Sequence, residues 1–178
     1  RLTHILNMKF TSTYLHGSYI IEPYKLEDNR GYFSRIFDKI EFISVGEPFQ
    51  ILQVSISNNK KKGTLRGMHY QDKPYYERKI VHCVKGSIYD VILDIRPDSK
   101  TYKQWFSIEL DDKDNKLLYI PTGFAHGFQT LKDNTTVIYY MNEFYHSECS
   151  KIINYKSCNI QWKITPPILM SEKDMDAK

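Results

Sequence analysis

An all-β fold, a jelly-roll sandwich or barrel with a few short peripheral helices, is what the sequence predicts, and three features lead there. The chain holds 14 Tyr and 9 Phe among frequent Ile and Val, residue types that suit a pleated, half-buried surface. Its apolar residues gather in short runs, separated by turn signals at intervals of about eight to twelve residues. Sustained helical spacing is almost absent.

In chain order, strands are expected at Ser18 to Ile21, Gly31 to Phe37, Phe49 to Ser57, Lys79 to Val84 and Ser87 to Ile95. Further strands are expected at Trp105 to Leu110, Lys116 to Ile120, Gly127 to Leu131 and Thr135 to Met141. Lys85-Gly86, between two such runs, reads as a hairpin turn. Short helices are expected at Lys39 to Ser44 and near the C-terminus. In Phe49 to Ser57 the period of two puts Gln53, Ser55 and Ser57 on one face and Leu52, Val54 and Ile56 on the other. A polar face inside a buried sheet points to a ligand cavity, which a small barrel can hold in its mouth.

The 178 residues are the length of one ordinary domain, expected over residues 8–178. Arg1 to Asn7 precede Met8, a natural-looking start, and are expected to be an extraneous or disordered N-terminal stretch. No apolar run approaches the length that crosses a bilayer, and no signal-peptide core is visible, so a cytoplasmic protein without membrane contact is expected. Cys83, Cys149 and Cys158 form no CxxC pair and no zinc-type spacing, and are read as reduced, packed thiols. The net charge of +4 is mild, and its densest cluster, Lys60 to Lys62, precedes Gly63 in what reads as a solvated turn. Nucleic-acid binding needs a broader basic face, whereas anionic small molecules suit this charge.

Four polar groupings stand out from this framework. They are Asp28-Asn29-Arg30-Gly31-Tyr32-Phe33, Leu65-Arg66-Gly67-Met68-His69-Tyr70-Gln71, the run from Ile120 to Phe128, and Ser171-Glu172-Lys173-Asp174. Singly each is ordinary: a lone histidine in a strand is more often structural than catalytic, and a late Lys-Asp pair is more often a solvated tail. Arg66 and His69 are three apart, so a regular strand sends them to opposite faces; Gly67 is expected to permit a twist or bulge that brings both to one pocket.

Together and in this order, with Tyr89 to Arg96, Ser99 to Tyr102 and Ile160-Gln161-Trp162, these runs resemble the dTDP-4-dehydrorhamnose 3,5-epimerase family from Met8 to Asp174. The resemblance implies a cupin-type jelly roll working as a homodimer, with strands exchanged between subunits. It implies a substrate in which a 4-keto-6-deoxy sugar is linked to a nucleoside diphosphate, in deoxysugar and surface-polysaccharide biosynthesis. Metal-binding cupins carry a His-x-His pair and a carboxylate, whereas Tyr70 and Gln71 follow His69 here, so neither metal nor other cofactor is expected.

A hydrogen on the carbon beside a ketone is acidic because its loss gives an enolate. Inversion needs a base on one face, a group to stabilise the oxyanion and an acid on the other face. By resemblance, His69 is the base, Asp174 the carboxylate that orients it, Tyr139 the acid on the opposite face and Lys79 the cation beside the enolate oxygen. Arg30, Arg66, His126 and Lys173 correspond to positions that hold the sugar and diphosphate, with Gln53, Ser55 and Glu148 as further substrate contacts.

The sequence departs from the family pattern at several places. Arg35 stands where a glutamate usually lies beside the nucleotide base, and arginine offers only donors. Cytosine or guanine presents acceptors that suit it, so CDP and GDP stand beside dTDP as nucleotides. Ser55 replaces a common asparagine, the turn from Asn58 to Gly63 carries one extra residue, and Ser150 replaces a glutamate, with Glu148 two residues earlier. Two alternatives share the scaffold: a nucleotide-sugar 3,4-ketoisomerase, and a non-catalytic sugar-binding cupin.

Overall fold

A computed structural model describes residues 7–178, and the expectation for the N-terminal stretch falls almost wholly on residues 1–6, outside the described residues. Thirteen strands run in the order β1 (Lys9–Ser12), β2 (Tyr19–Glu22), β3 (Lys25–Asp28), β4 (Gly31–Ser34), β5 (Gln53–Asn59), β6 (Leu65–Gln71) and β7 (Lys79–Lys85), then β8 (Ser87–Asp94), β9 (Trp105–Asp111), β10 (Leu117–Ile120), β11 (Phe124–Thr130), β12 (Thr135–Met141) and β13 (Ser150–Ile152). The two α-helices, α1 (Lys39–Ser44) and α2 (Glu172–Met175), are short, and among the described residues no helix is long and apolar enough to cross a membrane.

Two antiparallel sheets face each other, one ordered β1-β2-β10-β7-β12-β5 and the other β13-β6-β11-β8-β9, while β3 and β4 form a separate hairpin. This is the expected cupin-type β-sandwich. Between the sheets lies a core of Val81 and Cys83 from β7, Ile88 and Ile92 from β8, Phe124 and Phe128 from β11, and Val137 from β12. The alternating residues of β8, Tyr89, Val91 and Leu93, point to the outer face, where Met68, Ala125 and Ile160 join them under the C-terminal segment. Strand β8 is therefore buried along its whole length.

The outer face of the larger sheet is closed by α1. Asp38 caps this helix by accepting a hydrogen bond from the Ile40 N–H at 2.9 Å. Phe42 inserts among Phe10, Phe37, Phe49 and Tyr119, with ring centroids 5.1 to 5.8 Å apart. Truncating a buried phenylalanine of this kind costs about 3–5 kcal/mol, so this cluster anchors the helix against the sheet.

Besides shifts at strand ends, such as β5 running from Gln53 to Asn59 where Phe49 to Ser57 was expected, the structure departs from the sequence expectation in three respects. The turn at Lys85-Gly86 joins no hairpin: β7 pairs with β10 and β12, whereas β8 pairs with β11 and β9 in the opposite sheet. A turn signal says that the chain reverses, and packing decides which sheet the next strand joins; here Gly86, at φ +82°, crosses where a Cβ would lie 2.3 Å from Thr135 Oγ1. The run expected from Gly31 to Phe37 stops at Ser34, because its partner β3 is only four residues long. Strands β1, β3 and β13 had no strand expectation, and β6 was expected only as an irregular stretch around Gly67.

Candidate active site

Strand β6 carries the bulge that its spacing called for. His126 pairs with His69 and Phe128 with Arg66, so Gly67 and Met68 together oppose the single residue Gly127. The crossing is close: a Cβ on Gly67 would lie 2.5 Å from Gly127 Cα, and Gly67 sits at φ +124°. The extra residue turns Arg66 and His69 to the same side, and both line a cavity of 410 Å³ between the two sheets.

The C-terminal segment follows the edge of β6, with the Leu65 N–H donating to Leu169 O at 2.9 Å, and brings α2 beside His69. Asp174 Oδ1 lies 2.7 Å from His69 Nε2, and Oδ2 accepts from the Gly67 N–H at 3.3 Å. The Ser171 hydroxyl caps α2 by accepting from the Asp174 N–H. Burial acts to raise the Asp174 pKa, but hydrogen bonds from His69, Gly67 and Ser171, with the His69 charge, outweigh it and hold the carboxyl below its ordinary range. Asp174 is thus a buried carboxylate built to hold an imidazole and set the direction of its ring.

Tyr139 enters the cavity from β12, in the sheet opposite His69, with its ring edge-on to His126 at 6.0 Å. Burial pushes its phenol pKa up, the nearby Asp90 carboxyl adds to this, and Arg66 and Ser57 only partly oppose it. The group therefore stays protonated and can give up a proton rather than take one. Lys79, from β7, points into the same cavity with Nζ 2.7 Å from Glu77 Oε1, both side chains being nearly buried. Arg66 Nε donates to Asn59 Oδ1 at 2.7 Å, so the end of β5 sets its direction. His126 Nε2 lies 2.6 Å from Asp90 Oδ1 within the sheet, and Lys173 reaches the rim from α2.

Seven of the expected site residues thus meet at one cavity: His69, Tyr139, Asp174, Lys79, Arg66, His126 and Lys173. Five do not line it. Arg30 is fully exposed at the tip of the β3–β4 hairpin, paired with Asp28 at 2.6 Å. Arg35, just past that hairpin, lies 3.5 Å from Asp38. Gln53 uses Oε1 to accept from the Tyr145 N–H at 2.8 Å, and Ser55 is exposed, so of the polar face of β5 only Ser57 lines the cavity. Glu148 is exposed and pairs with His146. Among the described residues no group of three or more His, Cys, Asp and Glu side chains is placed to hold a metal ion.

Several cavity or supporting residues carried no signal in the sequence. Glu77 lies two residues before Lys79, just ahead of β7, and pairs with it, a spacing that could have marked the pair. Asp90 lies 36 residues from the His126 it holds, and Asn59, only seven from Arg66, meets it across the turn between β5 and β6. Gln71, recognised only as part of a run, donates to Tyr75 O and Phe144 O and accepts from the His146 N–H, tying two loops together beside the cavity.

A carboxyl held below its ordinary range stabilises the fold above its unfolded pKa, about 3.9, and that stability disappears as pH falls through the lower folded value. Asp174→Asn should therefore be less stable than the parent at pH 7, with the difference shrinking as pH drops below about 4. Urea unfolding midpoints from pH 7 to pH 2.5 measure it; a gap that stays constant over this range contradicts the assignment.

A sequence model of the dTDP-4-dehydrorhamnose 3,5-epimerase family matches residues 12–178. The chain is 37% identical over 174 residues to the dTDP-4-dehydrorhamnose 3,5-epimerase of Shigella flexneri, covering 96% of this chain and 95% of that protein. Its fold superposes with a TM-score of 0.94 on the Bacillus anthracis dTDP-4-dehydrorhamnose 3,5-epimerase solved with TDP and PPi bound, at 33% identity, covering 97% of this chain and 99% of that one. A Legionella pneumophila 3,5-epimerase in complex with dTDP-4-keto-L-rhamnose superposes with a TM-score of 0.90 at 32% identity, covering 96% of this chain and 92% of that one. With its fold and nearly its whole length matched, the chain belongs to the dTDP-4-dehydrorhamnose 3,5-epimerase family.

Proposed function

We propose that this protein epimerises a 4-keto-6-deoxy sugar carried on a nucleoside diphosphate, inverting C3, C5 or both, in the biosynthesis of deoxysugars for surface polysaccharide. One observation carries the reading: an imidazole seated on a buried carboxylate and a protonated phenol enter a single cavity from opposite sheets. His69 takes the proton beside the ketone, and Asp174 favours the imidazolium that results. Lys79 faces the enolate oxygen, and Tyr139 returns a proton to the opposite face of the ring. Arg66, Lys173 and His126 hold the sugar and diphosphate, guanidinium being suited to phosphate oxygens. Protons leave and return with no change of oxidation state, so the cycle closes without a redox partner. The TDP-bound and sugar-bound relatives support a nucleotide sugar as ligand. A single domain over residues 8–178, acting in the cytoplasm, belongs to the same reading.

The working unit in this reading is a homodimer with exchanged strands. Strand β5 is a sheet edge whose Val54 and Ile56, with Leu52 just before it, are open to solvent, Ile56 being 70% exposed. The β3–β4 hairpin is likewise apolar and open, with Phe33 62% exposed beside Leu26 and Tyr32. Unpaired edges and contiguous apolar patches of this kind mark association surfaces. Exchange of the hairpin delivers Arg30 and Arg35 to the other subunit's cavity, which accounts for their distance from their own. There Arg35, a donor, meets the nucleotide base and favours CDP or GDP over dTDP.

In deuterated water the protein should wash solvent deuterium into C3 or C5 of a 4-keto nucleotide sugar, read by NMR, while a sugar-binding protein leaves both positions protiated. His69→Ala should abolish this exchange; normal exchange in that variant removes His69 as the base. Arg30→Ala and His69→Ala homodimers should both be impaired, yet mixed subunits should regain activity, because half of the mixed dimers' cavities then combine an intact His69 with an intact Arg30. Absence of any gain on mixing contradicts strand exchange. Calorimetry should show CDP or GDP binding more tightly than dTDP, and the reverse order refutes the role given to Arg35.

A further inference from the structure

Behind the cavity lies a second imidazole–carboxylate pair, whose carboxylate the proposed proton transfers leave unused. Asp90, in the middle of β8, is fully buried, with Oδ1 2.6 Å from His126 Nε2 on the neighbouring strand β11 and Oδ2 without a hydrogen-bond partner. The groups that face it are Lys79 and Cys83 from β7 and Tyr139 from β12. Lys79 is already held by Glu77, and burial pushes the Cys83 thiol up to about 12, which leaves it neutral. A full negative charge with one bare oxygen is therefore poorly compensated in this dry interior. Burial moves the Asp90 carboxyl in the same direction, raising its pKa against the opposing pull of His126 and Lys79. His126, by contrast, lines the cavity with its ring while Nε2 is committed to Asp90.

We infer that Asp90 and His126 form a pair of no net charge, with one proton in the Oδ1–Nε2 bridge and a second on Nδ1, so that His126 offers an N–H to an anionic oxygen of the substrate. Loss of one proton from the pair would leave the bridge filled and Nδ1 bare, turning a donor into an acceptor. As charge grows on the substrate oxygen, the bridging proton moves from Asp90 toward Nε2. An imidazolium then faces the oxyanion and a carboxylate stands behind it; the proton count is unchanged and no bond to the substrate forms. Asp90 is in this sense a positioning residue, acting only through His126. The inference rests on reading the cavity as the substrate site, and it adds a donor whose charge the protein stores without burying a net ion. Its acceptor is either the enolate or a diphosphate oxygen.

The test is nitrogen NMR of the full-length protein with labelled histidine. The His126 signals are assigned by their loss in His126→Gln or, should that variant not fold, by through-space contacts to the Phe128 and Tyr139 rings. At neutral pH in the ligand-free protein Nδ1 of His126 should read as protonated and Nε2 as the acceptor of the proton held by Asp90; a bare Nδ1 overturns the inference. Asp90→Asn, whose amide cannot share the proton, should leave His126 a neutral ring and cost about 10²-fold in one kinetic parameter. A fall in kcat assigns the donor to the enolate, and a rise in KM with kcat kept assigns it to the diphosphate. Wild-type values of both, together with a bare Nδ1 in the variant, overturn it. Where Asp90→Asn does not fold, the wild-type spectrum decides alone. The deuterium wash-in tests the epimerase reading separately, since its absence sinks that reading whatever the His126 spectrum shows.

Discussion

The contact on which the site depends is the crossing of Gly67 over Gly127. Two backbones meet there with no room for a side chain on either: a Cβ on Gly127 would lie 2.7 Å from Met68 Sδ, and one on Gly67 would press on Gly127 Cα. The approach lets β6 carry one more residue than the stretch of β11 beside it, and that residue sets the parity of everything after it. Without it Arg66 and His69 would face opposite sides of the sheet. The same turn of backbone aims the Gly67 N–H at Asp174, so the bulge both exposes the imidazole and helps bind its carboxylate.

Two histidines flank this crossing on paired strands, and each is backed by an aspartate, but their surroundings differ. Asp174 gathers donors from His69, Gly67 and Ser171 and stays ionised at ordinary pH. Asp90 has His126 at one oxygen and nothing at the other, and its charge is disfavoured. In the proposed mechanism the first environment serves an imidazole that accepts a proton, and the second one that keeps offering one. Similar residue pairs, placed at the half-open rim and in the closed floor of one cavity, are thereby driven toward different chemical states.

The strands that carry these groups belong to a rigid framework, whereas the hairpin that carries Arg30 does not. Strands β7, β8, β11 and β12 share the inter-sheet core, so His126, Lys79 and Tyr139 are fixed relative to one another. The β3–β4 hairpin pairs only with itself and leaves Phe33 and Leu26 in solvent. In the proposed homodimer these apolar side chains would meet the open edge of β5 in a second copy.

Local chemistry was enough to mark much of this. The alternation in Thr135 to Met141, the β-rich run from Ser87 to Ile95 and the Asp38-capped helix at Lys39 to Ser44 are all written in residues close in sequence, and each formed near its expected bounds. The bulge at Gly67 was legible too, since only an irregular strand reconciles Arg66 and His69 with a shared face. What sequence could not decide were relations between distant segments. Whether Gly86 turns a hairpin or crosses to the other sheet depends on which strands offer β7 and β8 better partners, and the pairing of Asp90 with His126 depends on β8 lying beside β11. Such choices are made by packing over the whole core, where burial and hydrogen bonding are summed across segments a hundred residues apart, as Asp174 and His69 are; no short window of sequence contains that sum.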